Sequence, residues 1–300
     1  ANSSFGNGFG NPDEQRYGTN LSVQYAPGNP NGYPDKAKTD GVIGKVTYSW
    51  RPSEDIMYYV TWSEGFRPGL LNRPVGSGND TYRVKAEVIS DEITNMEFGW
   101  KTILLDGQLR FNGSMFSVDV EGLQSTILDP AMNVNLFFSD NAANGTIRGM
   151  EGDFTYLTNY DGLSIAGAYS FLSSEITEKL LPTNDVVEGA EMAFAPGYQG
   201  NVRVRQEFGM SNGYVGHAQV QLVYSDGATS DIMEPNKAKQ NSYSYLDLRV
   251  GMSSDDITAE LYIDNVTDKR AEISNNFVFD RQRVTVIKPM TVGIRVKKNF

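Results

Sequence analysis

The 300-residue chain has no cysteine and only one histidine, His217. The first absence excludes a disulfide scaffold and thiolate metal sites. The second leaves no further imidazole for a histidine-rich metal centre or a His-Asp-Ser relay. Long apolar runs are missing too: nothing approaches the roughly 20 residues of a spanning helix, and mean hydropathy is -0.40. That excludes a helical membrane protein but not a β-barrel, whose strands are half polar. Cations are in deficit, 26 against 37 acidic residues, and the net charge of -11 disfavours nucleic-acid binding. The opening Ala1-Asn-Ser-Ser-Phe-Gly-Asn-Gly-Phe-Gly10 has neither the basic nor the apolar region of a secretory signal. Segment 1–40, loop-rich with one candidate strand at 17–25, reads as the middle of a longer chain. Neither Gly6-Asn-Gly8 nor Gly76-Ser-Gly78 lies between a strand and a helix start, so neither is a phosphate loop.

What the chain has is strand material: Tyr 16, Phe 15 and Gly 30. In the last stretch, Val292, Ile294, Val296 and Phe300 share one parity, while Thr291, Gly293, Arg295 and Lys297 share the other. A strand there has one oily and one polar face. Similar alternation predicts strands at 41–50, 55–65, 91–103, 107–127, 145–158, 162–177, 199–209, 213–225, 240–253, 256–266 and 289–300. That makes about 11 strands, or about 12 with 17–25. Connections alternate in length. Arg51-Pro-Ser-Glu54, Leu105-Asp-Gly107, Asn159-Tyr-Asp-Gly162, Gly209-Met-Ser-Asn-Gly213 and Ser253-Ser-Asp-Asp256 are tight turns; 66–90, 128–144, 178–198, 226–239 and 267–288 are several times longer. Such a meander, with every tight turn at one end, has the layout of an outer-membrane barrel.

The aromatic residues agree. Trp50, Trp100, Tyr156, Phe208, Tyr214 and Phe300 would ring one rim, and Trp62, Tyr169, Phe171 and Tyr224 the other, each on its strand's apolar parity. The opposite parity carries Lys101, Glu151, Asp153, Arg203, Arg249 and Glu260, as a wet lumen would. Arg148 breaks the pattern, so it is expected at a rim, where a long side chain snorkels. Parity slips between Phe111 and Phe116, which predicts a bulge near Gly113.

Several stretches resemble the C-terminal half of the barrel of TonB-dependent outer-membrane receptors. These are Tyr58-Tyr-Val-Thr-Trp-Ser-Glu-Gly-Phe-Arg-Pro-Gly-Leu-Leu-Asn-Arg-Pro74, Asp91-Glu-Ile-Thr-Asn-Met-Glu-Phe-Gly-Trp-Lys101, Gly149-Met-Glu151, Tyr262-Ile-Asp-Asn-Val-Thr-Asp-Lys269 and the ending at Phe300. The resemblance covers 41–300 and implies an all-β, antiparallel transmembrane barrel of 22 strands, of which this chain would hold about 11–12. It implies an N-terminal plug, absent here, and coupling through TonB to the inner-membrane proton gradient in a Gram-negative outer membrane. Val292, Ile294, Val296 and Phe300 resemble the signal read by the barrel-assembly machinery. The implied function is uptake of a scarce bulky solute, foremost a ferric siderophore or other iron complex. Haem, cobalamin and glycans also fit the architecture.

No catalytic set, cofactor motif or metal site emerges, so a transporter rather than an enzyme is expected. Arg67, Asn72, Arg73, Arg83 and Lys85 make the first long loop locally basic. They are ligand-binding candidates for an anionic chelate or acidic sugar, or they meet lipopolysaccharide phosphates, or they are simply solvated. Oxygen-rich Asp226-Gly-Ala-Thr-Ser-Asp231 is a calcium candidate or a solvated loop. Two rival readings stand: a complete passive porin of about 12 strands, and a secreted soluble β-sheet binding protein whose aromatic parity residues would be buried in a core.

Overall fold

The computed structural model describes residues 37–72, 85–128, 137–211, 213–278 and 281–298. The candidate strand at 17–25 lies outside them. Strands follow in chain order as β1 (Lys45–Ser53), β2 (Ile56–Arg67), β3 (Leu70–Leu71), β4 (Glu87–Val88), β5 (Asp91–Leu104), β6 (Leu109–Leu128), β7 (Phe137–Leu157) and β8 (Leu163–Lys179). They continue as β9 (Tyr198–Gly209), β10 (Val215–Ser225), β11 (Ala228–Thr229), β12 (Lys239–Gln240), β13 (Tyr243–Ser253), β14 (Ile257–Asp264), β15 (Glu272–Val278), β16 (Arg281–Val286) and β17 (Thr291–Lys298). Eleven of them form one sheet in the order β1-β2-β5-β6-β7-β8-β9-β10-β13-β14-β17. Every neighbouring pair in that sheet is antiparallel. The eleven fall on the segments expected from alternation, except that β7 begins at Phe137 rather than 145, so that much of the expected connection 128–144 is strand. β3–β4, β11–β12 and β15–β16 are two-stranded pairs inside the long connections. The sheet is a partial barrel, not closed: among the described residues β1 and β17 are each paired along one edge only.

Register explains which side is which. One row runs Tyr48, Val60, Phe98, Met115, Met150, Phe171, Tyr198 across seven strands. These residues face outward, where Tyr48 is 70% and Ile294 74% exposed. The other parity lines the concave face, where Thr61, Ser114 and His217 are buried. An apolar exterior with a polar interior, as the described residues have, is the pattern of an outer-membrane barrel wall. It also disfavours the soluble-sandwich reading, which needs these residues in a core.

Toward the loop end the polarity inverts. The row Trp62, Met96, Ser117, Arg148, Ser173 is the boundary, so Arg148 sits at the rim as expected. Beyond it the outward parity becomes Glu64, Thr94, Asp119, Thr146, Glu175, while the inward parity becomes Val118, Val120, Ile147 and Ile176. These inward residues cannot face water, and connections 180–197 and 226–242 fold in to cover them. Val120, Ile127, Phe138, Ala142, Ala143 and Ile176 pack with Leu181, Val186, Met192, Ile232 and Met233. Each such large side chain contributes about 1.5–3 kcal/mol when fully buried, so this small core is a lid over the mouth of the lumen.

Two local expectations change. Gly113 sits in unbroken register, opposite Trp100 on one side and Gly152 on the other. The irregularity lies between Val120 and Gln124, where Gly122 takes φ +65° and its N–H donates to Asn144 Oδ1. Phe116 faces the lumen without any slip, because it lies over Gly149, the residue directly opposite. The same device recurs as Tyr59 over Gly99, Trp100 over Gly113, Phe154 over Gly167, Phe208 over Gly216 and Tyr262 over Gly293. Outward rings also touch in series, Trp50, Tyr58, Phe98, Trp100, Phe111, Tyr169, Phe171, Tyr198, Tyr224. The series starts near the turn end of β1 and finishes at the loop end of β10, so it climbs obliquely between the two expected rims.

Candidate site at the mouth of the lumen

Three groups of polar residues meet the concave side. The first anchors the β3–β4 flap. Arg67 Nε donates to Asp91 Oδ2 at 3.0 Å, with Nη2 on the same oxygen, and Asp91 also accepts from the Gln124 amide at 3.2 Å. Asn72 donates to the Lys85 and Ser139 carbonyls, each at 2.8 Å, and accepts from the Ser139 amide at 2.9 Å. Lys85 Nζ lies 3.2 Å from Asp140 Oδ1, its side chain 60% exposed against 0% for the aspartate. Thus Arg67, Asn72 and Lys85 are brought together around the β6–β7 hairpin, and both cations face buried carboxylates. Their positive field is therefore weaker than the sequence implies. Arg73 and Arg83 lie outside the described residues. Composition alone missed Asp91 and Asp140, since nothing local marks an aspartate that will be buried.

The second group is a ladder on the last strands. His217 Nε2 lies 3.3 Å from Glu260 Oε2. Arg249 reaches Glu260 at 3.4 Å and Asp264 at 3.1 Å, and Arg295 reaches Glu260 at 3.5 Å. Both guanidiniums stand over the Tyr262 ring, at 5.8 and 5.7 Å from its centroid. His217 is 2% exposed and is a luminal partner of a carboxylate.

The third group lines open space. A trough of about 550 Å³ crosses the concave wall past Tyr59, Ser114, Glu151, Asp153, Gln199 and Tyr243. Gly113, Gly152 and Gly200, which border it, sit on the outward parity, where the rings of Trp100, Tyr169 and Tyr198 lie across them. Through Gln199, Ser225 and Tyr243 it shares lining with a smaller cavity of about 100 Å³ beside β11–β12 and β15. Near it, Asp226 accepts from Tyr224 Oη at 2.7 Å. Asp231 caps the lid turn by accepting from the Met233 amide at 2.9 Å, and burial pushes its carboxyl above the usual range. In the next loop the Met290 amide, donating at 2.9 Å, holds the Asp268 carboxyl below it. Within 226–231, therefore, Asp231 is engaged by the lid turn and Asp226 by the Tyr224 hydroxyl. Among the described residues no group of three or more histidine, aspartate or glutamate side chains is placed to hold a metal ion. Val292, Ile294 and Val296 lie on β17 facing outward, 60–74% exposed; Phe300 is outside the described residues.

Among curated sequences, the chain is 24% identical over 147 residues to a probable TonB-dependent siderophore receptor, PiuA, of Acinetobacter baumannii, covering 49% of this chain and 19% of that one. Among solved structures, the ferric yersiniabactin uptake receptor FyuA from Yersinia pestis superposes with TM-score 0.66 at 18% identity, over 86% of this chain and 37% of that one. The ferric preacinetobactin receptor BauA from Acinetobacter baumannii gives 0.63 at 17%, over 85% and 36%. Identities this low establish the fold alone, and the chain spans about a fifth to two fifths of these relatives' lengths. The profile of the β-barrel of TonB-dependent receptor-like proteins matches residues 10–266. The chain belongs to the TonB-dependent receptor-like β-barrel family.

Proposed function

We propose that this chain is barrel wall of an outer-membrane receptor that takes up a scarce, bulky solute, foremost a ferric siderophore or other iron complex, with energy delivered through TonB. The observation that carries the reading is the inversion of strand polarity at the Trp62–Arg148 row. Below it, an apolar exterior encloses a polar lumen; above it, the loops close inward as a lid. A family of transport receptors and relatives named for siderophores support the same reading, and nothing in it calls for enzymatic chemistry.

In this reading the open edges at β1 and β17 are joined by strands outside this sequence, because unpaired backbone in hydrocarbon costs several kcal/mol per group. A plug and the TonB contact belong to the missing part. Lipid and lipopolysaccharide meet the outward face, and β17 with Phe300 engages the barrel-assembly machinery. Arg67, Asn72, Arg73, Arg83 and Lys85 remain the outer-loop ligand candidates. A small porin is disfavoured, since the family model that the chain matches is that of TonB-dependent receptors.

The test is iron-55 uptake from a panel of ferric chelates by cells carrying or lacking the gene, with and without TonB. TonB-dependent uptake of at least one chelate is expected. Uptake indifferent to TonB would restore the porin, and a growth defect confined to glycan limitation would replace iron by a sugar.

A further inference from the structure

The cavity beside the lid has a chemistry of its own. It is lined by Gln199, Ser225, Asp226, Gln240, Tyr243 and Glu272, with Phe194 and Ile273 among its apolar neighbours. No lysine or arginine is among its described lining residues. Its carboxylates are met by neutral donors: Asp226 by the Tyr224 hydroxyl at 2.7 Å and Glu272 by Asn275 Nδ2 at 3.2 Å. Gln240 is 6% exposed, and its Nε2 has no hydrogen-bond partner among the described residues. A buried amide nitrogen left unpaired is destabilising, and a ligand acceptor would relieve it. Two carboxylates without a facing cation favour a positive or neutral group and repel an anion. The aromatic ring of Tyr243 adds a face on which an ammonium is stable.

We propose that this cavity is a subsite for a neutral or cationic arm of the transported solute, an ammonium, amide or hydroxamate group, and that it selects against anionic chelates. This rests on the iron-chelate reading above and narrows it. The volume, about 100 Å³, suits one arm rather than a whole chelate, and the adjoining trough of about 550 Å³ leaves room for more of the body. Arg67 and Lys85 are already engaged by Asp91 and Asp140, so these two candidates offer an anionic chelate little free positive charge.

The test uses the full-length receptor in lipid nanodiscs and one chelate scaffold in three charge states. These are a linear ferric trihydroxamate ending in a primary ammonium, its N-acetylated form and its N-succinylated form, with a ferric tricatecholate as a fourth probe. The ammonium form is expected to bind about tenfold more tightly than the succinylated form, the acetylated form falling between. Glu272→Gln should shrink that ratio to about threefold or less, and Gln240→Leu, which removes the unpaired amide, should weaken all three hydroxamates together. Unchanged heat-modifiability shows that each variant is folded. Tighter binding of the succinylated chelate or the tricatecholate overturns the subsite, as does a ratio that Glu272→Gln leaves untouched or a set of hydroxamate affinities that Gln240→Leu leaves unchanged. If none of the four binds but TonB-dependent uptake of another iron chelate persists, the subsite falls and the receptor reading survives. If no iron chelate is taken up at all, both fall.

Discussion

Replacing Asp140 by alanine isolates what holds the flap to the lid. Asp140 is fully buried, pairs with Lys85 at 3.2 Å and accepts from the Asn141 amide at 2.8 Å. The lysine end is 60% exposed, so solvent screens the pair to about 1 kcal/mol at most. The larger loss is the buried amide left without an acceptor, about 1–2 kcal/mol. Together these give about 1–3 kcal/mol, an increase in local opening of about 5- to 150-fold. The effect should be local, because Lys85, Asp140 and Asn141 all lie above the Trp62–Arg148 row and the wall's ladders are untouched. Hydrogen exchange of the full-length receptor in nanodiscs is the assay. Peptides spanning 85–91 and 137–144 should lose protection, those from β9, β10 and β13 should not, and Asp140→Asn should fall between. An unchanged flap would refute the reasoning, and so would a uniform loss of protection, which would make Asp140 part of the global fold.

Three further outcomes are expected. Val220→Arg, on the outward face in mid-strand, should cost about 2–4 kcal/mol of folded stability in bilayers, whereas Gln221→Arg, one residue on and facing the lumen, should fold with near-normal yield by heat-modifiability; equal losses would sink the assignment of faces. Burial raises the Asp231 carboxyl, so its ionised form weakens the lid above the raised value, and the penalty disappears as pH falls through that value toward the unfolded one. Exchange of 226–240 should therefore slow on acidification, after correction for intrinsic rates, and Asp231→Asn should remove the dependence; faster exchange in acid would reverse the sign. At Gly149 an added Cβ would stand 2.6 Å from Phe116 Cζ and 2.7 Å from the Phe171 carbonyl oxygen. Gly149→Ala should cost about 1–3 kcal/mol, and Phe116→Ala should recover only part of it, since the carbonyl cannot move; full recovery would place all the strain on the ring.

Much was legible before the structure. The eleven wall strands, the tight turns, the rim position of Arg148 and the luminal side of His217 all follow from parity, because a period of two ties each residue's face to its neighbours along the strand. Parity misled at Phe116, where an opposite glycine lets a large ring lie inward, a fact of the facing strand rather than of the residue itself. It also stopped short of the second core, since Val118, Val120 and Ile176 acquire meaning only when segments 180–197 and 226–242 arrive to cover them.

The sequence by itself thus determined the architecture: strands, faces, the alternation of short and long connections, and the family. The tertiary structure decided the chemistry of the mouth. Arg67 meets Asp91 across 24 residues and Lys85 meets Asp140 across 55. The wall residues Gln199 and Ser225 meet Gln240 and Glu272 around one cavity. Local alternation sets which way a side chain points, but whether a charge is free or already paired depends on what folds against it, and those partners come from distant loops.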